Sequence, residues 1–168
     1  HKTACIVAND LGGAFPDHAN QALGLRDLPG VGPYTAGAIA AIAFGQQAIV
    51  VDGNIERLFS RYFGIETPLP AAKIDISAAY EAILPVVRPS DFPQALMDFA
   101  NAVCTVKQPG CAGCPFAGSC VAVARDMVTA LPVKPVRKAK PTRRATLFIA
   151  MNEHGEVYLL RRPDKGLL

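Results

Sequence analysis

No run of eighteen or more uninterrupted apolar residues occurs in this 168-residue chain, although 51% of it is hydrophobic. That excludes a membrane-spanning helix as its organising feature. The opening His1-Lys2-Thr3-Ala4-Cys5-Ile6-Val7 also lacks the flanks and cleavage site of a signal peptide, so a soluble, cytoplasmic protein is expected. Acidic residues are missing between Thr129 and Arg144, where Lys134, Arg137, Lys138, Lys140, Arg143 and Arg144 gather. The formal charge of +3 therefore belongs to one segment, which could follow a nucleic-acid backbone or simply be a solvated linker. Cysteines spread in pairs are absent too: four of the five stand between positions 104 and 120, unlike a secreted disulfide framework. The fifth, Cys5, lies on a helical apolar face and is expected to be a small buried hydrophobe.

The first 128 residues read as mainly α-helical. Apolar spacing predicts a helix over residues 2–11 that stops at Gly12-Gly13, and a short one from Asp17 to Leu25. After Leu28-Pro29-Gly30-Val31-Gly32, Pro33 suits a first helical position, and Ala36, Ile39, Ala40 and Ala43 form a stripe ending at Gly45. Ile49-Val50-Val51 is too short for a strand assignment and leads to Asp52 at the entrance of a helix carrying Ile55, Leu58, Phe59 and Tyr62. Two further helices are predicted over Lys73–Leu84 and Ser90–Cys104. Three prolines and the basic cluster then replace helical periodicity. Beyond them Thr146–Met151, Asn152-Glu153-His154-Gly155 and Val157–Leu160 read as strand, turn and strand. The chain lacks an initial Met and stops just after this pattern, and it is expected to be a fragment.

Three features carry chemistry. Glycines at 30 and 32 permit a turn whose consecutive amides could face a phosphate at the start of the next helix, although the same turn could merely join two packed helices. Cys104, Cys111, Cys114 and Cys120 follow C-x6-C-x2-C-x5-C with no histidine in the loop, a spacing that suits an iron–sulfur cube better than structural zinc. Asp52 could stabilise positive charge developing on a sugar during N-glycosidic cleavage, or simply cap its helix.

Leu28–Ala36, Val51–Arg57 and the four cysteines together resemble the helix-hairpin-helix, Gly-Pro-Asp superfamily of DNA base-excision glycosylases over roughly residues 1 to 128. Within it, Val51-Asp52-Gly53-Asn54 and Gly32-Pro33-Tyr34-Thr35-Ala36-Gly37 look like the adenine DNA glycosylase family of the MutY type. The resemblance implies a helix-hairpin-helix glycosylase fold with a [4Fe-4S] cluster loop. It makes Asp52 the catalytic aspartate, Asn54 its hydrogen-bonding neighbour and Tyr34 an active-site residue. Leu28, Gly30, Val31, Gly32, Tyr34, Thr35 and Lys107 become DNA-binding, and the four cysteines the cluster ligands. Residues 1–50 would be the remainder of a six-helix domain, 51–128 the cluster domain, 129–143 a basic Pro-rich linker and 144–168 the first β-hairpin of a Nudix-like α/β domain.

The implied partner is double-stranded DNA containing A:8-oxoguanine or A:G mispairs, and the implied setting a monomeric, nucleoid-associated bacterial protein. Endonuclease III-like enzymes share the cysteine spacing but place a lysine where Tyr34 stands. A tyrosine has no amine for a Schiff base, which favours a monofunctional glycosylase. A bifunctional lyase on oxidised pyrimidines, or a non-catalytic iron–sulfur DNA-binding module, is the alternative. The family's general acid, a glutamate on an early helix, has no match here, and Glu56 reads as an exposed helix residue. The chain alone is therefore expected to lack adenine excision activity.

Overall fold

A computed structural model describes residues 1–16, 24–135, 141, 142, 144, 146 and 148–161. Two compact units result, His1–Pro135 and Val136–Leu168. The first is built around helix α3 (Gly53–Phe63), whose ends are set by its sequence. Asp52 caps it by accepting two backbone amides, and Gly64 ends it in the left-handed region at φ +67. Glycine is doubly required there: a Cβ at 64 would lie 2.4 Å from Val121 Cγ1, at the start of the short helix α6 (Val121–Ala124).

Ile55, Leu58 and Phe59 turn one face of α3 into the main core. Against them pack Ile76 and Tyr80 of α4 (Lys73–Ala82) and Ala100 of α5 (Asp91–Ala102). Phe59 stacks on Tyr80 at 5.7 Å between ring centroids, and Phe92 meets Tyr80 edge-on at 5.3 Å. Each such ring, fully removed from water, contributes roughly 2 kcal/mol.

A smaller cluster of Val7, Leu25, Leu28, Ala36 and Ala40 joins α1 (Lys2–Asn9), the 3-10 turn Leu25–Asp27 and α2 (Pro33–Ala38). Ala48 packs on both clusters, so the hairpin and α3 share one continuous interior. The stripe beginning at Pro33 is not α-helical to its end. From Ile39 to Ala43 it widens into a π turn, with Phe44 N–H bonding Ile39 O at 3.3 Å.

Other expectations shift as well. Cys5 is exposed, because Val7, the one buried residue of α1, lies about 200° round the helix from it. Of the helix expected over Asp17–Leu25, residues 17–23 lie outside the described residues. Past α6 the chain stays docked: Leu131 is buried and the Val133 carbonyl accepts the Leu69 amide at 2.9 Å. Arg137, Lys138, Lys140 and Arg143 lie outside the described residues.

In the second unit the expected turn forms, while none of its described residues is assigned to a strand. Asn152 Oδ1 accepts the amides of His154 and Glu156, at 3.0 and 2.9 Å, and Gly155 takes φ +79. Pairing among the described residues stops at one antiparallel bridge, Met151 with Val157. Phe148 and Leu159 are 90% and 83% exposed, and side chains exposed to that degree do little to hold a two-stranded ribbon flat. Among the described residues no helix is long and apolar enough to cross a membrane.

Candidate functional site

Leu28-Pro29-Gly30-Val31 closes a tight turn, with Val31 N–H bonding Leu28 O at 3.0 Å and Gly30 at φ +82. Proline second and a positive-φ glycine third are what a type II turn requires. Leu28 anchors the turn by burial, and the Thr3 hydroxyl donates to the Pro29 carbonyl from α1. Gly32 then caps α2 and Pro33 begins it. The first intrahelical bond is made by the Ala36 amide to Gly32 O at 2.9 Å. The amides of Gly32, Tyr34 and Thr35 precede it and have no intrahelical acceptor, so they remain donors for an anion. Tyr34, 43% exposed, shares this first turn.

Asp52 is reached through Ile49-Val50-Val51 and is held on both oxygens. Its Oδ1 accepts the amides of Asn54 and Ile55 at 2.9 and 2.8 Å, while Oδ2 accepts Asn54 Nδ2 at 2.9 Å. The capping role open to an aspartate at a helix entrance is thus real. It also fixes the carboxylate's orientation, so capping and catalysis are compatible duties.

Asn54 is held in turn, since its Oδ1 accepts Arg57 Nη2 at 3.1 Å. Arg57 further donates to Ala100 O at 2.8 Å and, through Nε, to the carbonyl of Cys104 at 2.7 Å. Burial pushes its guanidinium below the ordinary value; Cys104 opposes that shift, Arg61 adds to it, and Asp52 opposes it. A continuous line of hydrogen bonds thus runs from Asp52 to the first cysteine of the cluster.

Arg61, one turn further along α3 and 3% exposed, grips the cysteine loop. It donates to the carbonyls of Cys104, Thr105, Val106 and Leu131 at 2.7–3.3 Å, and to Cys104 Sγ at 3.4 Å. Neither arginine stands out in the sequence as a site residue. The signal there is two cations four residues apart on a helix that also carries Ile55, Leu58 and Phe59, but which carbonyls they satisfy depends on tertiary structure.

Cys104, Cys111, Cys114 and Cys120 line one cavity of about 40 Å³, walled by Leu58, Phe99, Val103 and Phe116 among others. Phe116 packs edge-on against Phe99 and Tyr62, and the Tyr62 hydroxyl donates to Ser119 Oγ at 3.1 Å, which ties the loop's far side to α3. Burial raises the Cys111 thiol above its ordinary value, and the charges of the other three cysteines raise it further while Arg61 lowers it. No group of three His, Cys, Asp or Glu side chains among the described residues converges as a single-ion site. Lys107 is exposed on the segment between the first two cysteines.

Glu56 departs from its expected exposure. Its side chain is 14% exposed and paired with Lys73 Nζ at 3.0 Å, because the same turn that presents Asp52 brings position 56 against the start of α4.

No family model matches the chain. Curated relatives do. It is 35% identical to the adenine DNA glycosylase of Arabidopsis thaliana over 97% of the chain, 30% identical to that of Buchnera aphidicola over 99%, and 40% identical to that of Mus musculus over 77%. These matches cover 28%, 47% and 26% of the respective relatives, so the chain spans less than half of their length. Among solved structures, a thermostable thymine-DNA glycosylase superposes with a TM-score of 0.64 at 32% identity, covering 74% of this chain and 56% of that one. An endonuclease III–DNA complex superposes at 0.62 and 25% identity, covering 75% and 56%. With its glycine hairpin, its Asp52 entrance and these relatives, the chain belongs to the helix-hairpin-helix DNA glycosylases, as a homologue of the adenine DNA glycosylases.

Proposed function

We propose that this chain carries the hairpin, the catalytic carboxylate and the cluster loop of a monofunctional base-excision glycosylase that removes adenine mispaired with 8-oxoguanine or guanine in duplex DNA. The observation that carries the reading is Asp52: a carboxylate with three short hydrogen bonds cannot swing away as charge develops beside it. Adenine flipped from the stack leaves its deoxyribose as an oxocarbenium-like cation, and a carboxylate preorganised beneath that sugar stabilises it until water attacks. Asn54 and Arg57 hold Asp52 in place. Tyr34, without an amine, forms no Schiff base and instead lines the active site near the departing base or sugar.

The hairpin amides take a phosphate, and Lys107 adds a cation on the neighbouring loop. The cysteines fit an iron–sulfur cluster by their chemistry: four thiols line one cavity walled largely by apolar side chains. When bound, a [4Fe-4S] group would supply structural cross-linking of residues 104–120. Residues 144–168 are then the opening of a Nudix-like domain that reads the base opposite the adenine.

Glu56, engaged by Lys73, is no substitute for the family's general acid, so the 168-residue chain alone releases no adenine. The test is single-turnover adenine release by the full-length protein. Asp52→Asn should lower the rate by about 10³-fold or more while leaving affinity for an A:8-oxoguanine duplex intact. An unchanged rate would remove Asp52 from the mechanism. Borohydride trapping of a covalent DNA adduct would instead make the protein a lyase of the endonuclease III kind.

A further inference from the structure

Residues 47–51 belong to no helix or strand, yet they deliver Asp52 to its place. Whatever holds this stretch therefore sets the carboxylate's position, and two contacts from outside α3 do so. The first is Gly37 on α2, buried beneath the hairpin. A Cβ there would stand 2.3 Å from Ile49 O, 3.2 Å from Ile49 C and 3.8 Å from Val50 Cα. All three are backbone atoms, so no rotamer change could relieve the clash and the chain itself would have to move.

The second contact comes from α4. Tyr80 is fully buried between Phe59 and Phe92 in the cluster that contains Val50, itself 0% exposed. Its hydroxyl meets no partner in full hydrogen-bond geometry. Burial raises that hydroxyl to about 12, and the Val50 backbone partly offsets the effect. Tyr80 thus bears on Val50 through the packing of the cluster they share.

We propose that Gly37 is a positioning residue for base excision: its bare Cα admits the Ile49 carbonyl and so fixes the stretch that carries Asp52 against the hairpin. The inference rests on the reading of Asp52 as the catalytic carboxylate. The backbone that Gly37 meets is that of Ile49 and Val50, which leads to Asp52. The effect of Gly37 should thus fall on the chemical step rather than on DNA affinity.

The experiment uses the full-length protein and a duplex with adenine opposite 8-oxoguanine, measuring single-turnover release and equilibrium binding separately, with Asp52→Asn run beside the test variants. Gly37→Ala should lower the release rate by about 10²-fold, the scale of an ångström-sized misplacement, at unchanged affinity. Rate and affinity falling together would make the residue merely structural and overturn the proposal. If Asp52→Asn silences release while Gly37→Ala keeps the parental rate, the positioning proposal fails and the reading of Asp52 stands. Should Asp52→Asn itself be neutral, that reading fails and the proposal with it. Thermal melting and the visible colour of the protein report folding. If Gly37→Ala does not fold, Val50→Ala decides alone, since it loosens the same stretch from the core without adding a clash: a lowered release rate at unchanged affinity upholds positioning, and a parental rate overturns it.

Discussion

The hairpin and the cysteine loop are made by opposite means. The hairpin is a product of backbone geometry: a proline, a glycine at φ +82 and a buried leucine shape it and leave amides without intrahelical acceptors at the next helix start. The cysteine loop has little regular structure of its own, and its first segment is held by side chains reaching from α3, above all Arg57 and Arg61. One region offers donors outward, while the other absorbs donors to satisfy its own carbonyls. A surface proposed to meet phosphate needs unspent amides, whereas a loop proposed to surround a metal group needs its backbone pinned from behind.

The largest expected break in this contrast is Arg61→Met. It leaves the carbonyls of Thr105, Val106 and Leu131 without their guanidinium donor, and the buried Leu131 acceptor left unmade costs about 1–3 kcal/mol. Urea unfolding should show a loss of about 2 kcal/mol, accompanied by loss of visible absorbance, with the hairpin cluster around Leu28 intact. Gly30→Ala attacks the other construction principle. No atom lies within 4 Å of the added methyl, so its cost is conformational alone, about 1 kcal/mol, and should appear as weaker DNA binding without loss of colour. Lys107→Ala is the smallest perturbation. It should leave stability unchanged and flatten the salt dependence of DNA binding by about one unit of log–log slope, which a filter-binding series would register.

The same contrast explains how much is legible in the sequence. Backbone-made features are legible: Gly-x-Gly, a helix-starting proline and an aspartate before an amphipathic run carry their conformation in their residue types. The cysteine spacing is legible as a donor set as well. Arg57 and Arg61 are not, because their partners are carbonyls more than forty residues away in sequence. Cys5 is exposed against expectation since helical periodicity gives a face but not the packing of that face, and α1 buries only Val7. Glu56 is covered against expectation for a related reason, since its lysine partner comes from another helix. Alternating residues near 148 and 159 predict strands that need a covering layer before they lie flat.

The π turn at Ile39–Ala43 bears on how this chain should be aligned with others. A π turn takes up more residues per revolution than an α turn, so between hairpin and Asp52 the chain carries slack that regular α-helix would not need. Deleting one residue there would be expected to tighten the helix into α form while leaving the downstream residues nearly in phase. The count of residues separating Gly32 from Asp52 is therefore a structural parameter in its own right, and a gap opened in that interval by sequence alignment would represent a π turn drawn into α form rather than a shortened loop.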